Sequence, residues 1–150
     1  MDRATEYHDL KVDQILEQIV IFTQYVERSE HPDIWIKRRS GLYVAGWEML
    51  TRTELNQHSP SVCIDEMKIQ TLDAHPHRDA IWIVTDRGRI DTWAFVKDQL
   101  RVQPWQTREG LRYKYIDDQR HELSERFGRE PLRHDYLELL NGWKNGGYLD

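Results

Sequence analysis

The sequence predicts an α+β chain. Three observations lead there: an amphipathic stretch of helical period before Pro32, a middle rich in β-branched and aromatic residues, and a return to helical spacing after Thr107. The expected architecture is one α+β domain over residues 1–150. It comprises an N-terminal helix, an antiparallel sheet of about five strands over residues 34–105, and two C-terminal helices.

Leu10, Val12, Ile15, Leu16, Ile19, Phe22 and Val26 recur every three or four residues, the spacing of one helix face, and predict a helix over residues 8–28. Asp9 or Thr5 offers a side-chain oxygen to cap its start. His31-Pro32 closes it, because proline disfavours helix at the residue before it.

Ile34-Trp35-Ile36 and Leu42-Tyr43-Val44 flank Ser40-Gly41 and predict a hairpin, since glycine accepts the positive φ of a tight turn. Gly46 beside Trp47 suggests a bulge. Residues 47–56 fit either strand or short helix, because Trp47, Leu50 and Glu54 also keep helical spacing. His58-Ser59-Pro60-Ser61 is a loop by composition, and Val62, Ile64, Lys68, Ile69 and Leu72 predict a strand over residues 64–73.

His75-Pro76-His77-Arg78-Asp79 makes a turn before Ala80-Ile81-Trp82-Ile83-Val84-Thr85, the clearest strand in the chain. After the Arg87-Gly88 turn, residues 89–97 read as strand by content. Ile90, Trp93, Val96 and Leu100 also share one helical stripe, so residues 89–100 stay open between the two. Ile34-Trp35-Ile36 with Gly41 and Ile81-Trp82-Ile83 with Gly88 echo each other at the same offset, as two hairpins with buried central strands would.

From Thr107 onward Leu111, Tyr115, Leu123 and Phe127 form a helical stripe that Gly128 stops. Pro131 suits the first turn of the next helix, with Leu132, Tyr136, Leu139, Leu140 and Trp143 on its buried face and Asn141-Gly142 breaking it. The expected core is Ile15, Ile19, Phe22, Ile34, Ile36, Val44, Ile69, Ile81, Ile83, Leu123, Leu139 and Leu140.

Composition narrows the function. A chain of 150 residues with 39% hydrophobic residues and six Trp can build a core without a staple. A single cysteine, Cys63, and the lack of a secretory-type start point to a reducing, cytoplasmic setting. The most apolar run, Ile19 to Phe22, is far below the ~20 residues that cross a bilayer, so no membrane span is expected. Residues 1–33 hold eight acidic and three basic residues, which is the whole net charge of −5. That balance argues against a general nucleic-acid coat, whose affinity needs cations along the phosphate backbone.

Few constellations carry chemistry. His58, Cys63, His75 and His77 are of zinc-ligand type, but their spacing matches no zinc module and no metal is expected. Asp65, His75, His77 and Asp79 are the candidate acids and bases if the sheet curls into a pocket. In outline, a helix against a curved antiparallel sheet resembles the small cone-shaped α+β domains related to nuclear transport factor 2, and that likeness would imply such a pocket. No phosphate loop, nucleophile elbow or metalloprotease helix occurs, so no cofactor is expected and catalysis is disfavoured.

The leading expectation is therefore a non-catalytic interaction protein, a small regulator, adaptor or inhibitor, with a protein partner. Trp, Tyr and Arg, all abundant here, dominate interface hot spots, and the acidic N-terminal helix would suit a basic partner. A nucleic-acid-binding accessory module is the alternative. It would use Arg112, Arg126, Arg129 and Arg133 with Trp105, although the acids among them favour a salt-bridged solvent face. A small pocket enzyme or ligand-binding domain is the third reading.

Overall fold

The computed structural model describes residues 3–117 and 136–150. Helix α1 (Arg3–Ile19) is followed by β1 (Val26–Arg28), β2 (Ile34–Lys37) and β3 (Tyr43–Leu50). Strand β4 (Ser61–Asp65) runs directly into α2 (Glu66–Asp73), and after β5 (Ile81–Thr85) strand β6 (Ile90–Thr92) runs into α3 (Trp93–Gln99). Strands β7 (Arg101–Thr107) and β8 (Gly110–Ile116) precede α4 (Tyr136–Asn145).

The strands form two sheets, one ordered β1-β2-β3-β5-β6 and one ordered β4-β8-β7. All pairs are antiparallel except β3 and β5, which run parallel with Gly46 opposite Ile81 and Leu50 opposite Thr85. The single antiparallel sheet expected from sequence is thus replaced by a mixed sheet and a second, antiparallel one. The connection is the cause: residues 51–80 carry β4 and α2 before the chain re-enters beside β3, and a crossover of that length permits the parallel pairing that a hairpin turn cannot make.

Period-two alternation assigns the main sheet two buried faces. On the first, Ile34, Ile36, Ala45, Trp47, Met49 and Val84 pack with Val12, Ile15 and Ile19 of α1 and Leu140 of α4. On the second, Leu50, Ile81 and Ile83 meet Val62, Ile64 and Tyr115 of the second sheet, Leu72 of α2, and Trp93 and Val96 of α3. A sheet covered on both faces differs from the open cone of the architectural likeness. Of the expected core, Ile15, Ile19, Ile34, Ile36, Ile81, Ile83 and Leu140 are buried, while Phe22, Val44, Ile69 and Leu139 pack partly buried against it. Leu123 lies outside the described residues.

Other expectations also change. The first helix ends at Ile19, not near residue 28, because Val26 to Arg28 pair with β2 instead. The strand expected over residues 64–73 is mostly α2, started by Asp65, whose Oδ1 accepts from the Lys68 N–H at 2.7 Å. Residues 89–100 contain both elements, with Thr92 capping α3 through the Phe95 N–H at 3.2 Å. Leu111 and Tyr115 belong to strand β8, whose register with β4 sets Tyr115 opposite Val62. The rest of that expected helix, with Phe127, and the expected start of the next at Pro131 lie outside the described residues. Helix α4 passes through Gly142 and closes past Asn145, where Gly147 takes φ +79°.

Both predicted hairpins form, with Gly41 at φ +91° and Gly88 at φ +85°. The register irregularity in the first lies at Ile36/Lys37 rather than at Gly46. Gly46 has another role: a Cβ there would stand 2.5 Å from Pro32 Cγ and 2.9 Å from the Trp35 ring, so only glycine lets both lie on the strand. Beyond β3, the buried Arg52 guanidinium is ion-paired to Asp86 and Asp117 and donates from Nε to the Ser59 carbonyl at 2.6 Å. These bonds tie together the ends of β3, β5 and β8.

Candidate functional site

Trp35 on β2 and Glu48 on β3 project from the same face of the main sheet, on either side of Gly46. Each is the centre of a cluster. Glu48 is fully buried. His31 Nδ1, on the loop before β2, is 3.1 Å from one of its oxygens, and Lys68 Nζ on α2 is 3.9 Å from the other. Those partners reach water, with side chains 43% and 23% exposed.

Burial, reinforced by the negative charge of Asp33, pushes the Glu48 carboxyl up to about 7, while Lys68 and His31 pull the other way. Asp33 is itself committed, accepting the Met49 N–H at 2.8 Å and facing His8 Nε2 at 3.4 Å. That hydrogen bond to Asp33 raises the His8 pKa against its burial. Glu48 is thus a buried acid whose pKa is displaced toward neutrality and whose partners come from two separate segments, the loop before β2 and α2.

Around Trp35 the rings of Tyr43, His75 and His77 close in at centroid distances of 4.7, 5.6 and 6.0 Å. His77 also touches Tyr43 at 5.8 Å and His75 at 5.9 Å. Burial and the neighbouring His77 lower the His75 pKa, favouring neutral imidazole. Lys37 Nζ lies 5.0 Å over the Tyr43 ring and pairs with Glu27.

The hairpin turn carries this surface outward. Lys37-Arg38-Arg39 is a run of three cations, and Leu42 and Tyr43 after it are 63% and 42% exposed. The C-terminal segment lies against the same turn: Arg38 Nη2 donates to the Gly147 carbonyl at 3.2 Å, and the Arg39 N–H donates to Asp150 Oδ2 at 2.6 Å. Exposed Tyr148 sits between those two anchors, and Arg39 Nε reaches the Tyr25 hydroxyl at 2.8 Å. Arginine, tyrosine and leucine are thereby gathered at one end of the sheet.

The sequence-predicted residues scatter. His75 and His77 come together against Trp35. Asp65 is spent on capping α2, and Asp79 is exposed in the short turn before β5. Three cavities are lined by Arg38, Arg39 and Leu42, by α1 with the β5–β6 turn, and by Trp82, Ile90 and Phe95. None of these three is lined by His75, His77, Asp65 or Asp79. Trp105 and Arg112 are register partners on β7 and β8, with Lys114 Nζ 5.6 Å from the Trp105 ring. Arg126, Arg129 and Arg133 lie outside the described residues.

Cys63 is exposed on β4, and among the described residues no group of three or more His, Cys, Asp or Glu is placed to hold a metal ion. No helix among them is long and apolar enough to cross a membrane. Sequence reasoning missed Glu48, His31, Lys68, Asp33 and His8, and passed over Lys37-Arg38-Arg39, though a triple-cation run in an acidic chain is a readable signal. Comparison with protein-family models, with curated proteins and with solved structures gives no match for this chain.

Proposed function

We propose that this chain is a non-catalytic binding domain that engages another protein through the β2–β3 hairpin surface. The observation that carries the reading is the exposed Leu42 and Tyr43 beside Lys37, Arg38 and Arg39, with Tyr43 backed by Trp35 and His77. Aromatic and arginine side chains on a rigid support make interface hot spots, because they bring large contact area at low entropic cost.

The test is co-purification of the tagged chain from lysate, with Leu42→Ser/Tyr43→Ala as the comparison. A protein retained by the parent chain and lost at least tenfold by the variant, with unchanged circular dichroism, supports the reading. Equal retention by both refutes this surface.

Nucleic acid is the second reading, favoured by Lys114 and Arg112 around Trp105 on the β7–β8 hairpin. Absorbance at 260 nm that co-elutes at low salt and disappears at high salt would move the assignment to that hairpin.

A further inference from the structure

Glu48 has a connection to the Trp35 surface that the binding reading does not use. The loop bearing His31 also bears Pro32, which rests on Gly46 beside the Trp35 ring. The helix bearing Lys68 ends at Asp73 and leads directly into His75 and His77, which rest on Trp35 from their own loop. Both segments packed around Trp35 therefore also meet at the same buried carboxyl.

We propose that Glu48 is a proton-controlled tether: neutral, it lets the His31–Pro32 loop and α2 stay closed over it beside Trp35, and as a carboxylate, which gains water when that cover opens, it loosens both, so that the Trp35–Tyr43–His75–His77 surface responds to pH. This deepens the binding reading and rests on it for the purpose of the response.

The charged groups about Glu48 act on it in opposite directions. Lys68 and His31 favour the carboxylate, and Asp33 opposes it. His8 engages Asp33, while His75 and His77 make their ring contacts with Trp35 and Tyr43. Deprotonation leaves a buried charge that its partners offset only in part, since Lys68 at 3.9 Å is too far for a hydrogen bond and His31 alone is within reach at 3.1 Å, and opening the cover lets water solvate it.

The test follows the free full-length chain by NMR. The Glu48 side-chain carboxyl carbon reports its charge, and the Trp35 indole N–H reports the surface. Both are read in a His75→Asn/His77→Asn background that removes the imidazoles' own titration. The expected result is one shared midpoint near pH 7 for both signals. The Trp35 inflection should vanish in Glu48→Gln, and both midpoints should move upward by about one pH unit in Lys68→Met, since a favourable cation has gone. A Trp35 signal that stays flat while Glu48 titrates, or that titrates unchanged in Glu48→Gln, overturns the tether. No partner enters these readouts, so a linked titration in a chain that binds nothing overturns the binding reading alone.

Discussion

Replacing Glu48 with glutamine should stabilise the protein at alkaline pH and much less at acid pH. In the folded chain the carboxyl is pushed from 4.5 to about 7, chiefly by burial, which corresponds to about 3 kcal/mol at ~1.4 kcal/mol per pH unit. Between those pH values the folded state binds the proton and the unfolded state does not, so stability falls as pH rises through the window and levels off above it. Glutamine keeps the shape and removes the charge, while the half-exposed His31 and Lys68 can turn to water.

The measurement is urea denaturation of parent and Glu48→Gln at pH 5 and pH 8. The variant's advantage at pH 8 should exceed that at pH 5 by about 2–3 kcal/mol, or about 5–10 °C in Tm for a chain of this length. The raised His8 pKa acts in the same direction, adding stability that is present below 6.5 and lost as pH rises through its folded value. It is common to both chains, so Glu48→Gln should keep a shallow decline. A difference between the chains that is the same at both pH values would refute the burial argument.

Gly46→Ala drives a Cβ into Pro32 and the Trp35 ring and should cost about 1–3 kcal/mol by urea denaturation, with perturbed Trp35 resonances. Arg52→Met strips the buried Asp86 and Asp117 carboxylates of their shared cation. A loss of about 3–5 kcal/mol is expected by urea denaturation. Asp65→Ala removes the α2 cap and should cost about 1 kcal/mol, while Asp65→Asn restores most of it, as read from thermal unfolding.

The hairpins were legible because their signals are local. Ser40-Gly41 and Arg87-Gly88 lie between apolar runs, and a turn needs nothing from the rest of the chain. Elements that share one apolar spacing were not. Val62, Ile64, Ile69 and Leu72 satisfy a strand followed by a helix as readily as one strand, and the arbitrating clue is the cap at Asp65. Thr92 plays the same part before Trp93 and Val96. For β8, Arg112 and Lys114 alternate with Leu111, Tyr113 and Tyr115, a period of two that the coincident helical spacing of Leu111 and Tyr115 concealed. The parallel pairing of β3 with β5 is written in no local pattern, since it depends on where a thirty-residue crossover returns.

Glu48 was hidden for a related reason, and that reason bears on its role. Alternation along β3 puts Trp47 and Met49 on one face and Glu48 on the other, so on a sheet open to solvent the carboxylate would simply face water. It is buried because a second layer, formed by α2 and the β4-β8-β7 sheet, closes over that face. A charged residue needed only for solubility would have no reason to lie under that layer. Leucine or methionine there would extend the apolar contacts of Leu50, Ile81 and Ile83 and would avoid the desolvation cost. What a buried carboxyl provides and an apolar residue cannot is a charge that depends on pH, set beside basic side chains of two separate segments. Glu48→Leu should therefore raise stability at pH 8 and, like Glu48→Gln, leave the Trp35 surface unresponsive to pH, as read from denaturation and from the Trp35 indole N–H.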